Sequence, residues 1–422
     1  MGFAYRLPRT SWPSLRVRAC AAGCRETLFN CCSTSPLSTH PSSMAGPGTN
    51  SRRSLSRVVI ACSALCIICG YAWATREVSL QLWLMARFFE TGYMRSIFSP
   101  EHFSQGAHET QEDAMRARKA DADKLTGMGA RILQEDMAEV HDVALAVKGG
   151  EVPLRIYVPN GSTSGRARAY KGVLLWIHGG GWMFGTVDAH DAMSRDLAEA
   201  SRMIVVSVGY RLTPEVKFPG PIKDCLAAVK WAKTNIWAFG GDAARLALVG
   251  ESSGGTLAIA TAMLMGKSWI PFVTRKSPLC AVVAASPPLS YEHAKQGLDD
   301  GDGEWRSYKR YWSGYGLEGA QMKGYWDWYL RTEKDGRHPM ASPLRAKKRL
   351  LKSLPPVLLQ RAEHEVLWDE IFEMGRNLAD AGQEVLEIQE KSCIHGLFAK
   401  RGGACGETSL QHAVDFLDKH CS

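Results

Sequence analysis

Outside its first 57 residues, the sequence has almost no excess of positive over negative charge. The net charge is +8 at neutral pH, but residues 1–57 contain eight arginines and one glutamate and so carry seven of those charges. The rest of the chain is close to neutral, with lysine and arginine scattered along it. It contains no motif typical of DNA or RNA binding, so a nucleic-acid partner is disfavoured.

Residues 1–56 lack any sustained hydrophobic period and are rich in Ser, Thr, Pro, Gly and Arg. This composition predicts a disordered or targeting extension. Seven of the 12 cysteines lie in the first 69 residues, and no histidine pair follows them at zinc-finger spacing. Free thiols are therefore favoured over a metal site. The five later cysteines could form one or two disulfides, for which Cys393 with Cys405 is one candidate pairing.

Long apolar runs are also scarce, and the exception is residues 58–74. A run of this length is at the lower limit for crossing a bilayer, and three arginines before it would hold the N-terminus in the cytosol. Residues 57–75 are thus predicted to be a signal-anchor, which makes this a single-pass membrane protein with its body in the lumen of the endoplasmic reticulum or secretory pathway. A cleaved signal ending at Ala74 would instead give a secreted protein. Initiation at Met44 rather than Met1 is a further alternative.

Residues 76–134 are predicted to be an N-terminal helical or cap segment. After residue 135, short apolar runs alternate with helical patterns, which predicts a parallel sheet covered on both faces. Residues 291–340 interrupt this alternation with many aromatic residues, and they are either a substrate-shaping cap or ordinary helix packing. The predicted strands are 138–147, 152–158, 173–177, 203–208, 246–249, 281–285, 357–359 and 385–389, and the predicted helices are 188–200, 221–234, 253–265 and 369–381.

The segment Gly250-Glu251-Ser252-Ser253-Gly254 fits the pattern G-x-S-x-G. It lies between a predicted strand and a predicted helix, the context of a nucleophile elbow, in which a serine occupies a sharp and strained turn. Only small residues fit beside that serine, and the flanking glycines meet this requirement. The following helix N-terminus favours negative charge that develops there. Ser252 is the predicted nucleophile.

The segment His178-Gly179-Gly180-Gly181-Trp182 follows the strand predicted at 173–177. Glycines let the backbone approach a substrate and point N–H groups at the oxygen of a tetrahedral intermediate. The amides of Gly180 and Gly181, together with that of Ser253, are predicted to form this oxyanion hole. Each such donor lowers a reaction barrier by roughly 3–4 kcal/mol. His178 precedes the glycines and is interpreted as a support of the loop rather than as a base.

These motifs resemble those of the hormone-sensitive-lipase-like esterases (α/β-hydrolase fold-3), a group that includes bacterial carboxylesterases and arylacetamide deacetylase. The resemblance implies an α/β-hydrolase domain over residues 135–422, with a mostly parallel central sheet flanked by helices and a helical cap. Further matches to the family follow in the expected order, and they are Asp188-Ala-His-Asp191, Tyr210-Arg-Leu-Thr-Pro-Glu215, Phe218-Pro219, Asp224, Leu354-Pro-Pro356 and His395-Gly396.

The resemblance also implies the remaining site residues. His395 corresponds to the family's catalytic histidine. The catalytic acid of the family is an Asp followed four positions later by another Asp, and those places are taken here by Glu365 and Asp369. Glu363 is a rival for the same role. The elbow departs from the family's Gly-Asp-Ser-Ala-Gly-Gly, because Glu251 and Ser253 replace Asp and Ala.

The expected function is therefore a serine carboxylesterase that hydrolyses short- to medium-chain acyl esters through an acyl-enzyme, with no cofactor and no metal. The expected partner is a small apolar ester, with the membrane as a second partner if residues 58–74 are retained. Two alternatives stay open. The same machinery serves an amidase or a deacetylase that acts on N-acyl or O-acetyl groups. Non-catalytic ligand receptors share the fold but typically lose the histidine, which this chain retains.

Overall fold

The computed structural model describes residues 136–160, 171–266, 277–296, 306–398 and 403–422. The predicted extension 1–56, the predicted signal-anchor 57–75 and the predicted helical segment 76–134 lie outside these residues. Those domain boundaries stay predictions.

The described chain forms an eight-stranded sheet in the order β1-β2-β4-β3-β5-β6-β7-β8. The β1–β2 and β2–β4 pairs are antiparallel, and every other neighbouring pair is parallel. This is the mostly parallel sheet that the sequence predicts, with all eight strands close to their predicted positions. The strands are β1 Met137–Val147, β2 Gly150–Pro159, β3 Lys171–Ile177, β4 Ile204–Val208, β5 Gly241–Glu251, β6 Val282–Ala285, β7 Val357–His364 and β8 Val385–Ile394.

Helices cover both faces of the sheet, as the alternating pattern predicts. The helices α1 and α10 pack on one face, while α2, α3 and α9 pack on the other. Among the described residues, two 3₁₀ turns span Ile236–Phe239 and Pro343–Arg345. The helices are α1 Asp191–Ser201, α2 Gly220–Asn235, α3 Ser253–Gly266, α4 Tyr291–Gln296, α5 Arg306–Arg310, α6 Gly319–Tyr329, α7 Glu333–Gly336, α8 Lys348–Leu351, α9 Trp368–Asp380 and α10 Ala404–Cys421.

The central strands are buried on both faces, which explains their continuous apolar runs. Along β3, Val173 and Leu175 face one layer of helices, whereas Leu174 and Trp176 face the other, and all four side chains are fully buried. The edge strand β1 instead alternates between exposed and half-buried residues, because only one of its faces meets the protein.

The C-terminal helix α10 was not predicted, although its buried residues recur at helical spacing. Two disulfides involve this helix. Cys421, its last residue, is bonded to Cys280, which lies two residues before β6, and this pairing was not predicted. Cys405, in its first turn, is bonded to Cys393 in β8, the candidate pairing from the sequence.

The prediction of a single-pass membrane protein with a lumenal body is wrong, because the helices that the structure describes contradict it. None of them is long and apolar enough to cross a bilayer. The most apolar, α3, has 14 residues and so reaches about 21 Å, short of the roughly 30 Å of a hydrocarbon core. The longest, α10, has 18 residues but carries several charged side chains. Residues 58–74, on which the prediction rested, lie outside the described ranges.

One buried ion pair fastens the antiparallel end of the sheet to its helices. Asp224 of α2 is 1% exposed and accepts hydrogen bonds from the backbone N–H, Nε and Nη2 of Arg211 at 3.0, 2.9 and 2.7 Å. Arg211 Nη1 also donates to the carbonyl oxygens of Lys148 and Gly149 in the β1–β2 turn. The pair therefore holds α2, the loop after β4 and the first hairpin together.

We expect Asp224→Ala to lower the free energy of unfolding by about 3 kcal/mol, because it leaves a half-buried guanidinium without its carboxylate. Urea unfolding measures this effect. The matched control is Lys419→Ala, which removes an exposed ion pair to Glu384 and should cost less than about 1 kcal/mol. Equal losses in the two variants would contradict the structural role assigned to Asp224.

Candidate active site

The turn between β5 and α3 places Ser252 in a left-handed conformation, with φ of 53°. The carbonyl oxygen of Ser252 accepts the first two hydrogen bonds of the helix, from the amides of Gly255 at 2.9 Å and Thr256 at 3.2 Å. Its own amide donates to the carbonyl oxygen of Ala285 at the end of β6, at 2.7 Å. The hydroxyl is therefore held at the carboxyl end of the sheet, over a helix N-terminus. This is the strand–turn–helix geometry of the predicted elbow.

The glycines of the elbow are required by close backbone approach. A Cβ at Gly254 would lie 2.0 Å from the carbonyl oxygen of Ile177, and a Cβ at Gly250 would lie 2.4 Å from that of Gly254. No side chain fits at either distance. The turn can therefore pack directly against the end of β3, from which the His178–Trp182 loop begins.

His395 follows β8 and lies between Ser252 and Glu365. Its Nε2 is 3.1 Å from Ser252 Oγ, and its Nδ1 is 3.0 Å from Glu365 Oε2. A carboxylate oxygen only accepts, so the proton of a neutral His395 ring resides on Nδ1, and Nε2 is left to accept from the serine hydroxyl. The glutamate side chain is fully buried and that of the histidine is 10% exposed. The structure thus brings the three predicted residues into one hydrogen-bonded chain.

The two candidate acids have different partners. Glu365 Oε1 accepts from the amide of Ala362 at 2.6 Å and from Ser286 Oγ at 3.1 Å, which leaves Oε2 for His395. Glu363 Oε2 instead accepts from the amide of Ser392 at 2.7 Å. The structure therefore places Glu365, and not Glu363, at the histidine ring.

Sequence reasoning missed Ser286, which together with the amide of Ala362 holds Glu365 Oε1. Ser286 directly follows β6 and has φ of 46°. The carboxyl ends of neighbouring parallel strands meet at one edge of a sheet, so its position after a predicted strand was a signal that could have found it. The later acid, Asp369, lies away from His395. Its Oδ2 accepts from the amide of Ser307 at 2.7 Å and so anchors α5 to α9.

The glycine loop after β3 lies directly beside the serine. A Cβ at Gly179 would be 3.3 Å from Ser252 Cβ. Gly180 and Gly181 have φ of 109° and 61°, which few other residues adopt. Within the described residues, no backbone carbonyl accepts from the amides of Gly180, Gly181 or Ser253. These three predicted donors are therefore available to a ligand.

His178 supports this loop from beneath, as predicted. Its Nδ1 is 2.8 Å from the carbonyl oxygen of Gly179 and donates to it. Its ring stacks on Tyr210 at 4.4 Å, and the Tyr210 hydroxyl donates to the His178 carbonyl oxygen at 3.1 Å. The residue is fully buried, and this burial lowers the pKa of His178 from 6.5 to about 4. A neutral ring committed to its own loop is unsuited to act as the base at Ser252.

Aromatic residues of the 291–340 insertion cover the other side of the loop. Trp182 stacks on Tyr329 at 4.3 Å and contacts Trp326 at 4.6 Å. The ring of Tyr325 lies so close to Gly181 that a Cβ there would be 2.5 Å from it. Part of the insertion thus packs on the predicted oxyanion loop, and its role as a cap stays a prediction.

Glu251 connects the nucleophile elbow to the loop that carries His395. Its carboxylate is 3% exposed, and Oε1 accepts from the amide of Phe398, three residues after His395, at 2.7 Å. The elbow and the loop that carries His395 are thus joined by a side chain adjacent to Ser252.

A family model described as the alpha/beta hydrolase fold matches residues 174–399, more than half of the chain. The chain belongs to the hormone-sensitive-lipase-like α/β-hydrolase family. This establishes the resemblance that the sequence motifs indicated.

Curated relatives in the family carry esterase names. The chain is 31% identical to an arylesterase of Saccharolobus solfataricus, over 64% of this chain and 81% of the relative. It is also 31% identical to an ethyl acetate hydrolase of Pseudomonas putida, over 67% and 83%. A solved thermostable esterase of Pseudomonas putida has 28% identity and a TM-score of 0.61, covering 78% of this chain and 97% of that one. These relatives support a hydrolase that acts on esters.

The buried His178 predicts a specific dependence of stability on pH. Because its folded pKa of about 4 lies below the ordinary 6.5, the unfolded chain binds a proton in this range that the folded chain does not. The resulting stability is complete above pH 6.5 and is lost as pH falls toward 4. The loss amounts to about 2 kcal/mol between roughly pH 7 and pH 5.

Urea unfolding of the wild type and of His178→Gln at both pH values measures this contribution. Between pH 7 and pH 5, the free energy of unfolding should fall by about 2 kcal/mol more in the wild type than in His178→Gln. Above pH 7 the two profiles should run parallel. Equal slopes on the acid side would mean that His178 is not held neutral in the fold.

Proposed function

We propose that this chain is a serine carboxylesterase in which Ser252 is the nucleophile, His395 the general base and Glu365 the acid that orients it. The observation that carries this proposal is the unbroken hydrogen-bonded chain Ser252–His395–Glu365 beside a glycine loop whose amides are free to bind. Nucleophile, acid and base occur in the sequence order typical of the α/β-hydrolase fold.

Acylation would begin as Ser252 Oγ attacks the ester carbonyl carbon and its proton passes to His395 Nε2. The carbonyl oxygen becomes an oxyanion that accepts hydrogen bonds from the amides of Gly180, Gly181 and Ser253, and removal of one such donor raises a barrier by about 3–4 kcal/mol. Collapse of the intermediate breaks the ester C–O bond. The alcohol leaves with the proton from His395, and an acyl-serine remains.

Deacylation would repeat these steps with water in place of serine. His395 Nε2 takes a proton from the water as its oxygen attacks the acyl-serine carbonyl carbon, and it returns the proton to Ser252 Oγ when the acid product leaves. Through both half-reactions, buried Glu365 stabilises the imidazolium and fixes which ring nitrogen faces the serine.

The proposed substrate is an apolar ester with a short to medium acyl chain. The aromatic side chains of Tyr325 and Phe184 lie around Gly180 and Gly181, which favours an apolar group near the reacting carbon. Two relatives are named for arylester and ethyl acetate hydrolysis, and ethyl acetate is a small ester. An amidase or deacetylase would use the same residues, so hydrolysis of p-nitrophenyl acetate should be measured beside p-nitroacetanilide.

Hydrolysis of p-nitrophenyl acetate, butyrate and palmitate tests the proposal directly. We expect turnover of acetate and butyrate in preference to palmitate, and a loss in kcat of about 10⁴-fold or more in Ser252→Ala. Glu365→Ala should lose about 10³- to 10⁴-fold. Absence of turnover in folded wild type and variant alike would refute the esterase and favour a receptor or a narrow deacetylase.

The matched control is Glu363→Ala, a neighbouring glutamate that contacts Ser392 rather than His395. Its kcat should fall by only about 10-fold, because the displaced group is the backbone near the end of β8 and not the base. Equal losses of kcat in Glu363→Ala and Glu365→Ala would contradict the assignment of Glu365 as the acid.

A further inference from the structure

The segment that carries His395 is no longer positioned by the sheet. The last pair in the β7–β8 ladder joins His364 to Ile394, and His395 is the next residue. The contact between His395 Nε2 and Ser252 Oγ is 3.1 Å. A shift of about 1 Å in such a contact costs on the order of 10²-fold in rate. Something other than strand pairing must therefore fix the position of the ring.

Three hydrogen bonds hold the backbone on either side of the ring. The amide of Ser392 donates to Glu363 Oε2 at 2.7 Å, that of His395 to the carbonyl oxygen of Tyr315 at 3.2 Å, and that of Phe398 to Glu251 Oε1 at 2.7 Å. Ser392 has φ of 58°, a conformation that such a bond helps to maintain. These anchors are not covalent, so they can open and close.

One covalent anchor lies two residues before His395. Cys393 is bonded to Cys405, with 5.8 Å between the Cα atoms and a sequence separation of 12. The bond joins the end of β8 to the first turn of α10, a helix that packs against the sheet. Cys393 is 3% exposed, whereas Cys405 is half-buried and follows two exposed residues. Cys405 is thus the more exposed of the two bonded cysteines.

We propose that the Cys393–Cys405 disulfide is a positioning element for His395, and that its reduction slows acyl transfer at Ser252. The proposal rests on the proposed function. Reduction adds two electrons and two protons across the S–S bond and yields two thiols, while a water-soluble phosphine takes oxygen from water to form its oxide. The strand end then loses its covalent tie to α10, and the backbone around His395 is left with non-covalent contacts, among them the three hydrogen bonds.

The chain contains a matched control. Cys280 and Cys421 form a disulfide with a sequence separation of 141. The amide of Cys280 donates to the carbonyl oxygen of Leu246, five residues before the end of β5. This disulfide therefore lies about 17 Å from the elbow, toward the opposite ends of the strands. Because a longer closed loop restricts the unfolded chain more, its removal should lower Tm more than removal of Cys393–Cys405.

The test uses Cys393→Ser/Cys405→Ser and Cys280→Ser/Cys421→Ser beside the wild type, with p-nitrophenyl acetate as substrate. We expect Cys393→Ser/Cys405→Ser to lower kcat about 10-fold and to leave KM nearly unchanged. The loss is smaller than that for a full 1 Å shift of the ring, because the three backbone hydrogen bonds remain. We expect the second pair to lower Tm more and to leave kcat at the wild-type value.

Incubation with the phosphine should lower kcat in the wild type and in Cys280→Ser/Cys421→Ser, and should not change Cys393→Ser/Cys405→Ser further. An unchanged kcat in folded Cys393→Ser/Cys405→Ser would overturn the proposal. So would equal losses of kcat in the two double variants, because the effect would then follow global stability.

Hydrogen exchange of the peptide 392–398 gives a readout that does not depend on activity. Exchange should accelerate on reduction of the wild type and in Cys393→Ser/Cys405→Ser, but not in the control pair. If the wild type hydrolyses no ester, this readout still decides whether the disulfide holds the segment, and only the proposed function fails. Unchanged exchange would overturn the positioning role.

Discussion

The close approach of β5, α3 and the end of β3 is the constraint on which the site depends. A chain that leaves a buried strand and enters a buried helix through one residue must turn so sharply that Ser252 adopts a left-handed conformation. The turn is possible because Gly250 and Gly254 have no side chain where the backbone of their neighbours lies. The amide of Ser252, bonded to β6, fixes the turn against the next strand as well. Strain at one residue is thus supported by several elements that are themselves fully packed.

The other proposed site residues reach this turn from four separate strand ends. The glycine loop follows β3, Ser286 follows β6, Glu365 follows β7 and His395 follows β8. In a parallel sheet these ends lie side by side, which explains how residues more than 140 positions apart come within hydrogen-bond distance. Two buried carboxylates hold these loops in place. Glu251 accepts from the amide of Phe398, and Glu365 accepts from the amide of Ala362.

Much of this arrangement followed from local patterns. The strands were visible as short apolar runs, because a strand buried on both faces contains little else. The elbow and the glycine loop were visible because tight turns and close approach restrict the residue type to glycine. The pairing of Glu365 with His395, favoured in the sequence over Glu363, required knowledge of which way each side chain points at the end of β7. Adjacent strand residues face opposite sides, but beyond the strand this alternation no longer applies.

The sequence by itself determined the fold class and the family and predicted Ser252 and His395 as site residues, because each depends on residues that are contiguous or nearly so. Only the tertiary structure decided the role of Ser286 beside Glu365, the link from Glu251 to Phe398 and the disulfide between Cys280 and Cys421. The membrane localisation inferred from residues 58–74 had no counterpart among the described helices. For the Ser286, Glu251 and disulfide contacts the physical reason is the same. Side chains distant in sequence meet only after the strands are ordered, and no local period encodes that order.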